Sequence, residues 1–180
     1  LAVANTQLLT LQTNGAHNNS TFRDSSGFNS SITRTGDVTN GVFSPYGDNF
    51  SYYFGGSDYL NIATSTALTI PTSSTPFTFE VWARPSGTTN SGILLDETGN
   101  VNQSGWHDSW IEFAGGNIRI SVWSNSTGFS LGAYTANNWY QIVMTYTGTV
   151  LTGYVNSVQQ YTGSVTRTGP GTAIYYTLAG

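Results

Sequence analysis

The side chains best suited to chemistry stand two residues apart. In Phe77-Thr-Phe-Glu-Val-Trp-Ala-Arg-Pro85 the spacing links Glu80, Trp82 and Arg84; in Asn138-Trp-Tyr-Gln-Ile-Val-Met-Thr-Tyr146 it links Trp139 and Gln141. A period of two puts such residues on one face of a strand. The same sorting adds Trp110, Glu112, Arg119, Trp123 and Tyr154 to an outward set. Carboxylates, guanidiniums and aromatic rings on one sheet face make a carbohydrate surface: rings stack on sugar C–H faces, while Glu, Gln and Arg bind hydroxyls. The competing reading, favoured here, is ordinary cross-strand pairing of Glu with Arg, which sheets use without any ligand.

Catalysis is a weaker reading. Glycoside hydrolysis needs two carboxylates about 5–9 Å apart, and Glu80 and Glu112 are the pair to consider. Arg84 shares the face of Glu80 and Arg119 lies one hairpin from Glu112, an arrangement that keeps both ionised. His17 and His107 fall in separate loops rich in Asn and Gly, without a serine in a nucleophile context. A non-enzymatic domain is expected.

The elements that position these residues read as strands throughout. Only 8% of the 180 residues are charged, yet 14% are aromatic, which separates the chain from disordered sequences of similar polarity. Strands are expected near 5–12, 31–38, 50–54, 59–62, 77–84, 92–95, 110–114, 117–123, 128–134, 138–146, 149–156, 158–162 and 173–178. Gly55-Gly-Ser-Asp58 reads as a hairpin-like or bulged turn and Gly115-Gly-Asn117 as a tight hairpin, residues 63–68 as a short helical turn, and Phe22 and Phe28 as loop anchors. Alternation assigns Phe77, Phe79, Val81, Ala83, Ile111, Phe113, Ile118, Ile120, Val122, Tyr140, Ile142, Met144, Leu151 and Val155 to the core. About a dozen strands with short connections imply an all-β, two-sheet antiparallel sandwich.

Charge and composition exclude several classes. Lysine and cysteine are absent, the five cations are all arginine, and the net charge is −4. Phosphate-backbone binding therefore has no electrostatic basis, and nucleic acid is not an expected partner. Disulfides and thiolate metal sites are excluded. No apolar run reaches the ~18 residues of a membrane helix, so membrane insertion is not expected.

Thr21-Phe-Arg-Asp-Ser-Ser-Gly27, Tyr53-Phe-Gly-Gly-Ser-Asp-Tyr-Leu60, the 77–85 and 138–143 stretches and Tyr154-Val-Asn156 follow one another in a familiar order. In that order they resemble the laminin-G-like, concanavalin-A-like jelly-roll family. Asn5-Thr-Gln-Leu-Leu-Thr10, Ile32-Thr-Arg-Thr-Gly-Asp37 and Pro45-Tyr46 resemble the version repeated in tail or fibre proteins of marine bacteriophages. The resemblance implies a linker at 1–5 and a jelly-roll sandwich over 6–180. Because family members usually end on a further strand, it also implies a fragment lacking its last strand. The family's hydrolases carry Glu-x-Asp-x-x-Glu, a spacing that does not occur here. Many relatives bind calcium through rim-loop oxygens, so Asp96, Glu97, Asn100 and Asn102 are candidate ligands, with a solvated acidic loop as the alternative. The implied function is a non-enzymatic virion module that attaches to host-surface polysaccharide. The alternative is a structural module touching its neighbours in a homo-oligomer; a glycan depolymerase ranks third and a bacterial surface setting stays open. Loops at 13–31, 96–109 and 124–137 are the expected contact regions, with Trp106, His107, Asp108, Trp110 and Tyr134 as carbohydrate-binding candidates.

Overall fold

The computed structural model describes residues 5–10, 22–41, 44–47, 51–64, 68, 70, 72–98, 107–122, 127–167 and 175–178. All regular elements among them are strands. In chain order these are β1 (Ile32–Thr35), β2 (Thr39–Gly41), β3 (Ser51–Tyr53), β4 (Tyr59–Ala63), β5 (Phe77–Ala83), β6 (Gly92–Thr98), β7 (His107–Ala114), β8 (Asn117–Ser121), β9 (Phe129–Ala133), β10 (Tyr140–Tyr146), β11 (Val150–Val155), β12 (Val158–Ser164) and β13 (Tyr175–Leu178). A seven-stranded antiparallel sheet, ordered β1-β4-β13-β6-β7-β8-β9, faces a four-stranded one ordered β12-β11-β10-β5, and β2 with β3 forms a small ribbon. The expected all-β jelly-roll sandwich is the fold observed.

Alternation explains how the layers close. Phe79 stands opposite Met144 and Val81 opposite Ile142 in the pairing of β5 with β10. From the other sheet come Ile111, Phe113, Ile118 and Ile120, so two apolar faces interdigitate into one core. At Gly153 a Cβ would strike Leu131 and Ile120, so only glycine lets β11 approach the larger sheet there. One rim is shut by Phe129 and Tyr161, whose rings stack at 4.5 Å. The last described strand, β13, lies inside the larger sheet between β4 and β6.

Several local expectations need correction. Residues 5–10 form no strand; the Asp24 carboxylate instead accepts the amides of Leu9, Ser26 and Ser30 at 2.7–3.0 Å, drawing that segment into a side-chain-capped loop. Gly55-Gly-Ser-Asp58 is not a hairpin turn, because β3 pairs with β2 while β4 pairs with β1 and β13. Phe28 is 51% exposed, so it anchors nothing. Of the helical turn expected at 63–68, Ala63 ends β4 and residues 65–67 lie outside the described part.

Candidate functional site

Strand assignment divides the outward residues between two surfaces. Glu80, Trp82, Gln141 and Tyr154 belong to the four-stranded sheet, whereas Trp110, Glu112 and Arg119 belong to the seven-stranded one. The single outward face expected from the sequence is therefore two faces on opposite sides of the sandwich. Glu80 and Glu112 are separated by both layers, about 10 Å of packed side chains, and do not form a hydrolytic pair.

On the four-stranded sheet, Trp82 lies beside Gln141, and Glu80 beside Val143 and then Tyr154. Gln141 is held from two sides: its backbone N–H donates to Asn156 Oδ1 at 3.0 Å and its Oε1 accepts from Ser157 Oγ at 3.2 Å. Its Nε2 then donates to Glu80 Oε1 at 2.7 Å, which fixes an exposed carboxylate in one orientation. The Tyr46 ring stands edge-on to Trp82 with centroids 5.2 Å apart and is 55% exposed. Burial, and after it the charge of Glu80, raise the Tyr46 phenol pKa, so the ring and the carboxylate share one site. The Trp82 indole N–H is shielded from solvent and has no hydrogen-bond partner among the described residues. Further along the same face Thr78, Thr145, Thr152 and Thr162 form a row across all four strands.

The outer face of the seven-stranded sheet is different. Asn61, Thr177, Asp96, Trp110 and Ser121 lie side by side across β4, β13, β6, β7 and β8. Alternation aims them away from the core, yet each is less than 8% exposed. Part of the cover is visible: at Gly128, with φ +68°, any Cβ would meet the Trp110 ring. Asp96 Oδ2 bonds His107 Nδ1, and Asp96 Oδ1 has no partner among the described residues. Next to this row burial raises the pKa of Glu112, with Arg119 and His107 opposing it. Among the described residues Glu112 has no accessible carboxylate beside it on this face, since Asp96 is wholly buried.

Between the sheets lies a charged cluster. The pairs Asp96–Trp110 and Thr98–His107 are spanned by unequal lengths of β6 and β7, so a bulge sets both Asp108 and Ser109 against Glu97. Arg167 donates to Asp108 Oδ1 at 3.1 Å, Asp108 Oδ2 at 2.5 Å, Glu97 Oε2 at 3.0 Å and Thr72 O at 3.1 Å. It also lies 5.9 Å from the Phe77 ring centroid. Tyr176 Oη donates to Glu97 Oε1 at 3.1 Å. Two carboxylates around one guanidinium leave the cluster a charge short. Burial accordingly pushes Glu97 up to about 7, with Arg167 pulling down and Asp108 pushing up.

These placements correct most of the expected site residues. Asp108 is 1% exposed because it pairs with Arg167. Trp110 does point off the sandwich but is covered. Tyr134 is buried against Phe113, its hydroxyl donating to Asn90 O at 2.6 Å. His107 alone of the described contact candidates keeps some exposure, and it is tied to Asp96. Asp96 and Glu97, adjacent on β6, point to opposite faces and cannot grip one ion together. Among the described residues no group of three His, Cys, Asp or Glu converges as a metal site. Trp106, Asn100, Asn102, Trp123 and His17 lie outside the described residues. Two participants escaped sequence reasoning. Arg167 follows the core residue Val165 at strand spacing, a hint that it points inward; Tyr46 sits in Ser44-Pro-Tyr-Gly47, a turn signature that exposes its ring.

A family model described as the concanavalin A-like lectin/glucanases superfamily matches residues 54–177. No curated protein sequence matches the chain. Solved structures share the fold. One is from work on botulinum neurotoxin type C, for which entering cells depends upon interaction with two ganglioside molecules: 16% identity, TM-score 0.65, 96% of this chain and 42% of that one. The binding domain of botulinum neurotoxin DC in complex with rat synaptotagmin II aligns at 15% identity and TM-score 0.66, over 98% and 44%. Domain 4 of an extracellular arabinanase from Geobacillus stearothermophilus, in complex with arabinotriose, aligns at 13% identity and TM-score 0.61, over 86% and 76%. The chain thus spans less than half the length of the toxin chains it matches.

Proposed function

The chain belongs to the concanavalin A-like lectin/glucanases superfamily, and from that premise we propose that it is a non-catalytic glycan-binding module using the outer face of its four-stranded sheet. One observation carries the reading: an exposed aromatic ring, Tyr46 on Trp82, adjoins a carboxylate locked in place by Gln141 and Ser157. A ring offers a C–H stacking surface, and an oriented planar carboxylate accepts hydroxyl protons without paying further side-chain entropy. That neighbours of the same fold are described with gangliosides and with arabinotriose supports the ligand class. Absence of a catalytic role is supported by the separation of Glu80 from Glu112 and by the burial of Asp96.

The setting we propose is a tail or fibre protein of a bacteriophage, with host-surface polysaccharide as partner; the resemblance of Asn5-Thr-Gln-Leu-Leu-Thr10, Ile32-Thr-Arg-Thr-Gly-Asp37 and Pro45-Tyr46 to such proteins supports it. A polysaccharide array probed with the full chain tests the binding claim. Binding that is lost in Tyr46→Ala and retained in Phe28→Ala, an exposed aromatic elsewhere, is expected. An array blank for every polysaccharide would overturn the reading. A structural module in a homo-oligomer is favoured instead by β12, which pairs with β11 alone among the described strands and carries Val158 at 58% exposure. Light scattering that gives a monomer at all concentrations would remove that alternative.

A further inference from the structure

We propose that this face selects uncharged, polyhydroxylated sugars and rejects acidic ones, and that Glu80 is the residue that discriminates; this rests on the glycan-binding reading above. Glu80 is exposed, and its single hydrogen bond among the described residues uses Oε1, leaving Oε2 to a ligand. It makes no ion pair with any described residue. An ionised carboxylate can only accept, so its natural complement is a pair of vicinal hydroxyls.

Arg84 is a cation on this face, four residues along from Glu80, but the charge that reaches the Tyr46 ring is that of Glu80. The chain has no lysine, and of its five arginines Arg167 is consumed in the core, Arg34 and Arg119 belong to the other sheet, and Arg23 lies in the loop before β1. Arg84, next along the face from Trp82, directs its Nε to Asn137 O at 3.1 Å. A uronate or sialate seated on Tyr46 would place its charge within several ångströms of Glu80, where like charges weaken binding by roughly tenfold or more. Net charge of −4 on the whole chain adds to the effect in the same direction.

The test titrates the full chain with neutral glucans, mannans and galactans, and with polyuronates and polysialic acid, by calorimetry. The wild type is expected to bind its best neutral polymer at least about tenfold more tightly than any acidic one. Glu80→Gln keeps the planar shape and is expected to narrow that gap about fivefold or more through stronger binding of the acidic polymers. Raising salt from about 0.05 M to about 0.5 M is expected to narrow it in the unmutated protein too. Equal or tighter binding of acidic polymers, or a gap unmoved by both Glu80→Gln and salt, would overturn the selectivity while Tyr46-dependent binding of some glycan left the parent reading standing. No binding to any polymer would overturn both.

Discussion

Replacing Arg167 by methionine removes the only cation among the described residues from a cluster whose two carboxylates, Glu97 and Asp108, are each about 1% exposed. Methionine fills much of the volume, so the deficit is electrostatic: two buried anions lose their counterion, a change worth about 3–5 kcal/mol at neutral pH. The pH dependence follows from proton counting. In the wild type Glu97 already titrates at about 7 against an ordinary 4.5, so the folded state holds a proton that the unfolded state has released, and stability falls as pH rises through that window. Without Arg167 the folded variant must hold about one proton more. Its deficit therefore grows by about 1.4 kcal/mol per pH unit, or about 3 kcal/mol between pH 5 and pH 7. Urea unfolding followed by tryptophan fluorescence at pH 5, 6 and 7 reads this directly. The expected result is a loss of about 3–5 kcal/mol at pH 7 that shrinks to about 0–2 kcal/mol at pH 5. A deficit equal at the two pH values, or below about 1 kcal/mol at pH 7, would refute the charge account.

Three further outcomes follow from local packing. Trp82→Phe deletes a shielded indole N–H without a partner, so calorimetric melting should show a change within about 1 kcal/mol or a gain, where deleting a bonded indole would cost more. Gly153→Ala drives a methyl into Leu131 and Ile120, both core residues, and should lower stability by about 1–3 kcal/mol in denaturant titration. Asp24→Ala orphans the amides of Leu9, Ser26 and Ser30, with an expected loss of about 2–3 kcal/mol at pH 7. Burial raises the Asp24 pKa but those three amides and the Ser26 hydroxyl outweigh it and hold it below 3.8, so its contribution is complete above that value and is lost as pH falls through the lowered pKa. The deficit of Asp24→Ala should accordingly narrow in strong acid.

Much of the fold was legible because alternation is local. The inward and outward sets of β5 and β10 follow from residue spacing alone, and both faces stand as read, while their register, with Phe79 opposite Met144, came only from the structure. What alternation cannot convey is what lies above an outward residue. Trp110 points off the sheet as expected but is covered, partly by backbone at Gly128, about 60 Å of extended chain away in sequence terms. Nor does spacing reveal which strands share a sheet, a non-local outcome that put Glu80 and Glu112 on opposite sides. The bulge that aims Asp108 inward is likewise invisible, since one extra residue in β7 reverses the faces that simple counting gives. Asp96 and Glu97 looked like one acidic loop because acidic residues are mostly solvated; in β6 one serves His107 and the other Arg167.

The central claim is that a glycan seats on the outer face of the four-stranded sheet. Titration of the strongest array ligand into isotope-labelled chain, followed by NMR shift changes, tests it most directly. The account predicts that the largest changes map to the Gln141 side-chain amide, Trp82, Tyr154 and Asn156, and vanish in Tyr46→Ala. Changes confined to the opposite sheet, around Glu112, Arg119 and Ser130, would contradict it.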